Sequence, residues 1–180
     1  RDRSVSRGLG DVYKRQDVKK YTVRKGDSWI RMVRKLGCSQ AMVVHLNGLM
    51  DIPALHTGDV FKYRPLDFHV VVNVPEKEIC LYDGTDFVKG YPILSMKDGG
   101  KKNVETTVKD EQAPVSIYSR QFPSADKTLV LAAGGYVIDA ARGTPRSPGF
   151  YLSRQDCNEL AMLTRPGTKV TILREKGEEP

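Results

Sequence analysis

The chain has 180 residues, of which 39% are hydrophobic and 28% charged, and its formal net charge is +7. This composition is typical of a globular protein with one ordinary domain or two small ones. No apolar run approaches the ~18–20 residues of a membrane span, and the dispersed positive charge does not favour a nucleic acid as partner.

Residues 1–16 carry five basic and two acidic residues and show no hydrophobic period. We interpret them as a non-native or disordered leader, with a flexible basic tail as the alternative. Both interpretations leave them outside the fold. Without them 24 basic and 20 acidic residues remain, a net charge of +4. Residues 1–16 also lack the apolar segment of an export signal.

Residues 20–63 predict the order strand, helix, helix, strand. The two outer strands are residues 20–23 and 60–63. Between them, apolar residues recur at helical spacing in two stretches. Capping and stop residues bound these stretches: Ser28 and Gly37 for the first helix, Ser39 and Asn47 for the second.

This segment resembles the LysM family over about 45 residues. The residues that match in order and spacing are Tyr21, Val23, Gly26, Asp27, Ser28, Leu46, Asn47, Gly48, Leu49, Gly58 and Asp59. One departure is Trp29-Ile30, which stands where the family has Leu-Trp. The resemblance implies binding of polymers that contain N-acetylglucosamine, either peptidoglycan or a chitin-like glycan.

The family's groove lies between the loop after the first strand and the loop before the last. Carried over, the glycan-binding residues are Gly26, Asp27, Ser28 and Trp29 on one side, and Asn47, Gly48, Leu49, Met50, Asp51 and Ile52 on the other. Backbone groups of such loops can bond an N-acetyl amide, while apolar side chains cover the sugar face. Purely structural roles stay open: Asp27 and Ser28 as helix caps, Asn47 as a helix end, and Trp29 as core.

Residues 67–174 predict a mostly antiparallel β domain with one helix near its end. Runs rich in β-branched and aromatic residues predict strands at 67–74, 78–82, 87–96, 128–131, 136–138 and 169–173. Ser153 and Asp156 approximate a capping box, so a helix is predicted from there to Pro166-Gly167.

The layout after residue 66 resembles the catalytic domain of L,D-transpeptidases. The resemblance rests on Tyr82-Asp83-Gly84, on Val88 with Tyr91-Pro92, and on the ending from Pro166 to Ile172. That family crosslinks peptidoglycan stem peptides through an acyl group carried on a cysteine. Its motif has the form His-Gly…Ser-His-Gly-Cys-x-Arg. Some other β domain is the alternative interpretation.

This chain departs from that motif at the positions that carry the chemistry. Phe150 stands at the nucleophilic cysteine, Pro148 at the preceding histidine and Leu152 at the arginine, while Asp139 replaces the histidine of the upstream His-Gly. Phenylalanine has no nucleophilic atom, so cysteine acyl transfer is excluded under this alignment. Asp139 and Arg142 are interpreted as an ion pair or a turn.

The cysteines Cys38, Cys80 and Cys157 are isolated and suggest neither a disulfide framework nor a metal. We interpret each of them as a small buried hydrophobe. We expect no catalytic residue, no metal and no cofactor.

The predicted fold class is α+β, a small βααβ LysM module followed by a mostly antiparallel β domain with one C-terminal helix. The predicted organisation is a leader (1–16), the LysM module (17–65), a degenerate L,D-transpeptidase-like domain (66–174) and a tail (175–180). The expected function is binding of peptidoglycan in the cell envelope, periplasmic or extracellular, with a stem peptide as a further partner. An active L,D-transpeptidase-type enzyme with a rearranged site and a purely structural envelope protein are the alternatives.

Overall fold

The computed structural model describes residues 18–175, so the predicted leader 1–16 and all of the predicted tail after Glu175 lie outside the described residues. The α+β class is confirmed. The strands are β1 Lys19–Thr22, β2 Val60–Tyr63, β3 Phe68–Asn73, β4 Glu78–Asp83, β5 Asp86–Pro92, β6 Ser95–Lys97, β7 Val104–Gln112, β8 Thr128–Leu131, β9 Val137–Ala140, β10 Gly149–Leu152 and β11 Lys169–Leu173. The helices are α1 Trp29–Leu36, α2 Gln40–Leu46 and α3 Arg154–Met162, and a 3-10 turn spans Phe122–Ser124.

The first segment has the predicted order strand, helix, helix, strand, and its two strands pair antiparallel. The Ser28 hydroxyl accepts a hydrogen bond from the Arg31 amide and caps α1, which ends at Gly37 in the left-handed conformation (φ 64°). Ser39 caps α2 in the same way, through the Met42 amide. Both helix starts and the end of α1 are therefore confirmed, because side chains that cap a helix leave a readable signal.

The second segment forms a nine-stranded sheet in the order β5-β4-β3-β11-β7-β8-β9-β10-β6. Two neighbouring pairs, β3 with β11 and β9 with β10, are parallel, and the others are antiparallel. The edge strands β5 and β6 are separated by only Ile93 and Leu94. The sheet therefore curls until its two edges lie side by side, with α3 packed against β8, β9 and β10.

The single strand predicted over residues 87–96 is wrong, because the structure divides it into β5 and β6 at opposite edges of the sheet. Pro92 has no N–H to continue the ladder. The Ile93 amide then bonds the Lys77 carbonyl, and the Leu94 amide bonds the Tyr151 carbonyl. These two hydrogen bonds hold Ile93 and Leu94 in place as the chain passes from the edge strand β5 to the edge strand β6.

Three further differences separate the structure from the sequence prediction. Strands β7 and β10 were not predicted, and α3 ends at Met162 rather than at Pro166-Gly167. The residues of β7, VETTVKDEQ, are mostly polar or charged, so they give a weak strand signal. The strand forms because β11 and β8 pair with it on both sides.

The segments before and after residue 65 share one hydrophobic cluster, which includes Val33 and Met42 from the first and Val70 and Leu160 from the second. Backbone and side-chain bonds also join them. The Leu66 amide donates to the Gly37 carbonyl at 2.7 Å, and the Ser39 hydroxyl donates to the Met162 carbonyl at 2.7 Å. The two segments are thus packed against each other, and the domain boundary at residues 65/66 stays a prediction.

Candidate functional site

The first predicted groove loop is a tight turn between β1 and α1. Gly26 has φ 88°, which favours glycine. The Asp27 carboxylate accepts hydrogen bonds from the Arg24 amide (2.8 Å) and from the Tyr21 hydroxyl (2.7 Å). These two bonds hold the pKa of Asp27 below its usual value, the Arg24 amide having the larger effect. Asp27 therefore fixes the turn, and among the four predicted groove residues on this side Gly26 and Ser28 are the exposed ones.

Trp29 connects the first loop to the stretch that follows the second. Its indole N–H donates to the Pro53 carbonyl at 2.8 Å, and its ring packs on Phe61 with centroids 5.0 Å apart. The side chain is half-buried. Trp29 thus has a packing role and at the same time keeps an exposed part beside the first loop.

Asn47 in the second loop holds α2 against β2. Its side-chain amide donates to the carbonyls of Val43 (2.7 Å) and Lys62 (2.8 Å), and its oxygen accepts the Lys62 amide at 2.9 Å. Gly48 follows in the left-handed conformation (φ 63°). With three hydrogen bonds to the protein, the Asn47 amide is occupied, whereas Gly48 is exposed.

The end of the second loop is hydrogen-bonded to the second segment, through Arg120. The Ile52 amide donates to the Arg120 carbonyl at 3.0 Å, and the Arg120 Nε donates back to the Ile52 carbonyl at 2.9 Å. Asp51 pairs with the same arginine at 3.7 Å, and the Ile52 side chain is buried. Sequence reasoning missed Arg120, since nothing in its neighbourhood marks it as a partner of residues 68 positions away.

Leu49 and Met50 line a separate cleft of about 400 Å³ against the 3-10 turn and α3. Met50 is 90% exposed. Of the ten predicted glycan-binding residues, Gly26, Ser28, Gly48 and Met50 are therefore the exposed ones, and Asp27, Trp29, Asn47, Leu49 and Asp51 are half-buried.

The positions matched to the transpeptidase motif lie on β9, on β10 and just before it. Phe150 and Leu152 are fully buried, and Phe150 stacks on Tyr136. Gly149 is required here, because a Cβ on it would lie 2.3 Å from the Val137 carbonyl oxygen. Pro148 is exposed, and Asp139 lies opposite Tyr151 in the parallel register of β9 and β10. Position 150 thus offers a core aromatic ring.

The three cysteines are buried, as the sequence predicts. The Cys157 thiol contacts the Lys127 carbonyl at 3.3 Å, and burial raises its pKa to about 12. Burial also raises the pKa of Cys38 to about 12, against a smaller opposite effect of Arg165. Thiols that hold their protons at neutral pH are poor nucleophiles, so neither of the two is poised for acyl transfer.

A small polar cleft of about 200 Å³ lies beside Asp139 and is lined by Asp126 and Arg142. Asp126 accepts hydrogen bonds from Asn158 (2.9 Å), Arg154 (2.7 Å) and Arg142 (3.2 Å). The bonds from Asn158 and Arg154 lower the pKa of Asp126 most. Asp139 and Arg142 are predicted to form an ion pair or a turn. The structure pairs Arg142 with Asp126, a residue that sequence reasoning missed. The cleft holds charged groups that neutralise one another.

Two properties concern residues 18–175 as a whole. Within them, no helix combines the length and apolar character that a membrane crossing requires. The same residues contain no group of three or more His, Cys, Asp or Glu side chains placed to hold a metal ion.

No protein-family model matches the sequence, and no curated protein matches it. Solved structures with a similar fold include L,D-transpeptidase 1 of Mycobacterium tuberculosis (8% identity, TM-score 0.46), where the match covers 63% of this chain and 66% of that one. An L,D-transpeptidase from Mycobacterium smegmatis is 9% identical with a TM-score of 0.46, covering 87% and 91%. The C442S mutant of the Enterococcus faecium L,D-transpeptidase is 12% identical with a TM-score of 0.44, covering 87% and 74%.

The chain thus spans just under two thirds of the length of the M. tuberculosis enzyme, and about half (49%) of Bdellovibrio bacteriovorus Bd1075, another similar structure. The likeness to these structures is one of fold. Three of the four solved structures named here are L,D-transpeptidases.

Proposed function

We propose that the chain is a cell-envelope protein that binds an N-acetylglucosamine polymer, peptidoglycan or a chitin-like glycan, through residues 17–65. In this proposal the binding surface is the pair of loops at Gly26–Trp29 and Asn47–Ile52. Residues 66–174 form an L,D-transpeptidase-like domain without turnover, which retains a surface for a stem peptide. The location is periplasmic or extracellular, where such polymers are found.

The hydrogen bond from the Trp29 indole to the Pro53 carbonyl carries the glycan-binding part of the proposal. It ties the start of α1 to the stretch directly after the second loop, while Gly26, Ser28 and Gly48 stay exposed. Exposed glycine backbone can bond an acetamide, and the half-buried Trp29 ring offers an apolar wall for a sugar face. The hydrogen bonds of Asp27 fix the first loop, and those of Asn47 fix the second. Loops that are fixed before binding lower the entropy cost of binding.

The non-catalytic part of the proposal rests on Phe150. The residue matched to the nucleophile is a fully buried ring. The thiol of Cys157, seven positions on, has a pKa raised to about 12 by burial. The alternative of an active enzyme with a rearranged site needs an accessible nucleophile beside a base. The polar cleft at Asp126 and Asp139 also holds the Thr128 hydroxyl, but neither a cysteine nor a histidine is among its lining residues.

The proposal is tested by sedimentation with purified insoluble peptidoglycan and with chitin, using residues 17–180. The test variant is Gly26→Asn with Gly48→Asn. A Cβ at either position meets no atom within 4 Å, and asparagine tolerates the left-handed backbone, so the variant should fold while its side chains cover the loops. Gly84→Asn is the matched control, since Gly84 has φ 60° and equally open surroundings in the β4–β5 turn.

We expect the parent and Gly84→Asn proteins to sediment with at least one of the two polymers. The double variant should remain largely in the supernatant. A parent chain that stays in the supernatant with both polymers would overturn the glycan-binding proposal. Equal sedimentation of the parent and the double variant would show that the glycan binds at a surface other than these loops.

A further inference from the structure

A cavity of about 460 Å³ lies between the first segment and the sheet, away from both sites described above. Its polar and charged lining comes from α1, α2, β7 and the stretch after α3, and includes Arg34, Gln40, Lys109, Asp110, Glu111 and Arg165. None of the ten predicted groove residues and none of the four motif positions lines it. Its volume lies in the range of small-molecule sites, roughly 300–1,000 Å³.

Gln40 contributes an unsatisfied hydrogen-bond acceptor to this cavity wall. The side chain is 5% exposed, and its Nε2 donates to the Ile117 carbonyl at 3.3 Å. Its Oε1 is buried and has no hydrogen-bond partner. A buried carbonyl oxygen without a donor is costly, so an N–H group brought within reach by a small rotation of the amide is stabilised there.

Glu111 contributes a second acceptor. Its side chain is half-buried, and among residues 18–175 its carboxylate has no direct hydrogen-bond donor. The nearby Lys127 ammonium, 3% exposed, acts on Glu111 only through its charge, because it is bonded to the carbonyls of Phe122, Pro123 and Ala125. Burial raises the pKa of Glu111 to about 7. The charge of Lys127 opposes this rise, and the neighbouring Asp110 carboxylate adds to it. The carboxylate therefore lacks the partner that a half-buried charge requires.

Charged side chains of both signs line the rest of the cavity: the exposed carboxylate of Asp110 lies beside Glu111 in the sequence, and three basic side chains are also part of the lining. Arg34 and Lys109 are exposed at the edge of the cavity. Arg165 is half-buried, and its Nε donates to the Leu66 carbonyl at 2.9 Å. A ligand that fits has hydrogen-bond donors at one end, with a positive charge for Glu111, and a negative charge at the other end for the arginines and the lysine.

We propose that this cavity binds a small zwitterion, namely a free amino acid or a short peptide with both of its ends unblocked. Its ammonium group bonds the Gln40 amide oxygen and the Glu111 carboxylate, and its carboxylate faces Arg34, Lys109 and Arg165. The inference does not depend on glycan binding, because the cavity shares no lining residue with the groove loops.

The test is titration calorimetry at pH 7.5 with three matched probes: alanyl-alanine, N-acetyl-alanyl-alanine and alanyl-alanine amide. At this pH, Glu111 is mostly ionised. We expect alanyl-alanine to bind, and each blocked peptide to bind at least tenfold more weakly, since each lacks one of the two charges. Equal binding of free and acetylated peptide, or no heat from alanyl-alanine at millimolar concentration with a folded protein, would overturn the proposal.

Variants separate the cavity from other surfaces. Glu111→Gln keeps the shape and removes the charge, so alanyl-alanine should bind at least tenfold more weakly while the acetylated peptide changes little. Gln40→Met removes the unsatisfied oxygen and should weaken alanyl-alanine several-fold. Glu175→Gln, an exposed glutamate outside the lining, is the control and should match the parent. Circular dichroism confirms folding, and sedimentation with glycan should be unchanged by Glu111→Gln, which separates a failure here from a failure of the proposed function.

Discussion

The ring of Phe150 stacks on the ring of Tyr136, with centroids 5.8 Å apart and planes inclined by 22°. The Tyr136 hydroxyl donates in turn to Asp98 at 2.7 Å, and Asp98 pairs with Arg174. Phe150, which the sequence alignment matches to the transpeptidase nucleophile, therefore belongs to a packed layer that reaches from β10 to the end of β11. A cysteine introduced at this position would place its thiol inside this packed layer.

Phe150→Cys should accordingly lower stability without creating a reactive thiol. Removing most of a fully buried ring costs about 3 kcal/mol, because the transfer energy is lost and a cavity remains. Urea denaturation measures the loss, and Ellman's reagent at pH 8 measures the thiol. We expect no fast-reacting thiol beyond those of the parent chain. Rapid labelling, or release of an acyl group from a peptidoglycan peptide, would contradict the non-catalytic interpretation.

The native cysteines give a second prediction. With pKa values raised to about 12 by burial, Cys38 and Cys157 carry almost no thiolate at pH 8. In a Cys80→Ser background, Ellman's reagent should therefore leave both thiols unlabelled for hours in buffer, and both should react within minutes in 6 M guanidinium chloride. Fast labelling of either cysteine in the folded protein would show that its thiol is accessible to solvent rather than buried.

Local signals in the sequence predict the helix ends, because capping is a matter of a few adjacent residues. Ser28, Ser39 and Ser153 each accept the amide three residues on, as expected. The strand β7 escapes such reasoning, since its polar residues are held in place by pairing with strands elsewhere in the chain. The division of β5 from β6 cannot be predicted from local signals either, because it depends on hydrogen bonds to residues at two opposite edges of the sheet.

The candidate sites show the same division between local and distant contacts. The turn at Asp27 could be predicted, because its donors, Tyr21 and Arg24, lie within six residues. The cavity at Gln40 and Glu111 could not, since its lining comes from positions more than 100 residues apart. Likewise, Arg120 reaches Ile52 across 68 positions, so the docking of the second loop leaves no pattern in the sequence.

Asn47→Ala should destabilise the first segment by about 1–3 kcal/mol. The substitution removes two donated bonds and one accepted bond, and leaves the Lys62 amide and carbonyl without their partner. Asn47→Asp should cost less than alanine, because a carboxylate still accepts the Lys62 amide. Urea denaturation gives both values. If Asn47→Ala leaves stability unchanged, the side chain is free for a ligand rather than engaged in holding β2.

The ion pair between Asp98 and Arg174 should be among the main stabilising contacts of the second segment. Both side chains are nearly inaccessible, at 5% and 6% exposure, and their closest atoms are 2.8 Å apart. Asp98→Asn leaves the guanidinium charge buried without its counter-ion, which costs about 3 kcal/mol. Denaturation at pH 7 measures this cost, and Asp86→Asn at the exposed start of β5 is the control.

The same pair has a predictable dependence on pH. Burial alone would raise the pKa of Asp98, but hydrogen bonds from Arg174, Tyr136 and the Gly100 amide outweigh it and lower the pKa. A carboxyl whose pKa is lowered by folding stabilises the protein at pH values above the pKa that it has in the unfolded chain. This contribution is lost as the pH falls through the pKa that it has in the folded protein. The stability difference between parent and Asp98→Asn should therefore be constant from pH 5 to 7 and narrow below pH 4. A difference that widens with acid would contradict this assignment.

Glu111 gives the opposite dependence on pH, because folding raises its pKa from the ordinary 4.5 to about 7. Between these two values the folded protein keeps the proton and the unfolded chain has released it. Raising the pH through this window therefore destabilises the parent chain. Glu111→Gln does not titrate, so its stability relative to the parent should rise by about 1–3 kcal/mol between pH 5 and pH 8. Urea denaturation at four pH values measures the trend, with Glu175→Gln as the control that should show none. A relative stability of Glu111→Gln that stays flat across this range would place Glu111 in water, and would remove the half-buried carboxylate on which the zwitterion cavity depends.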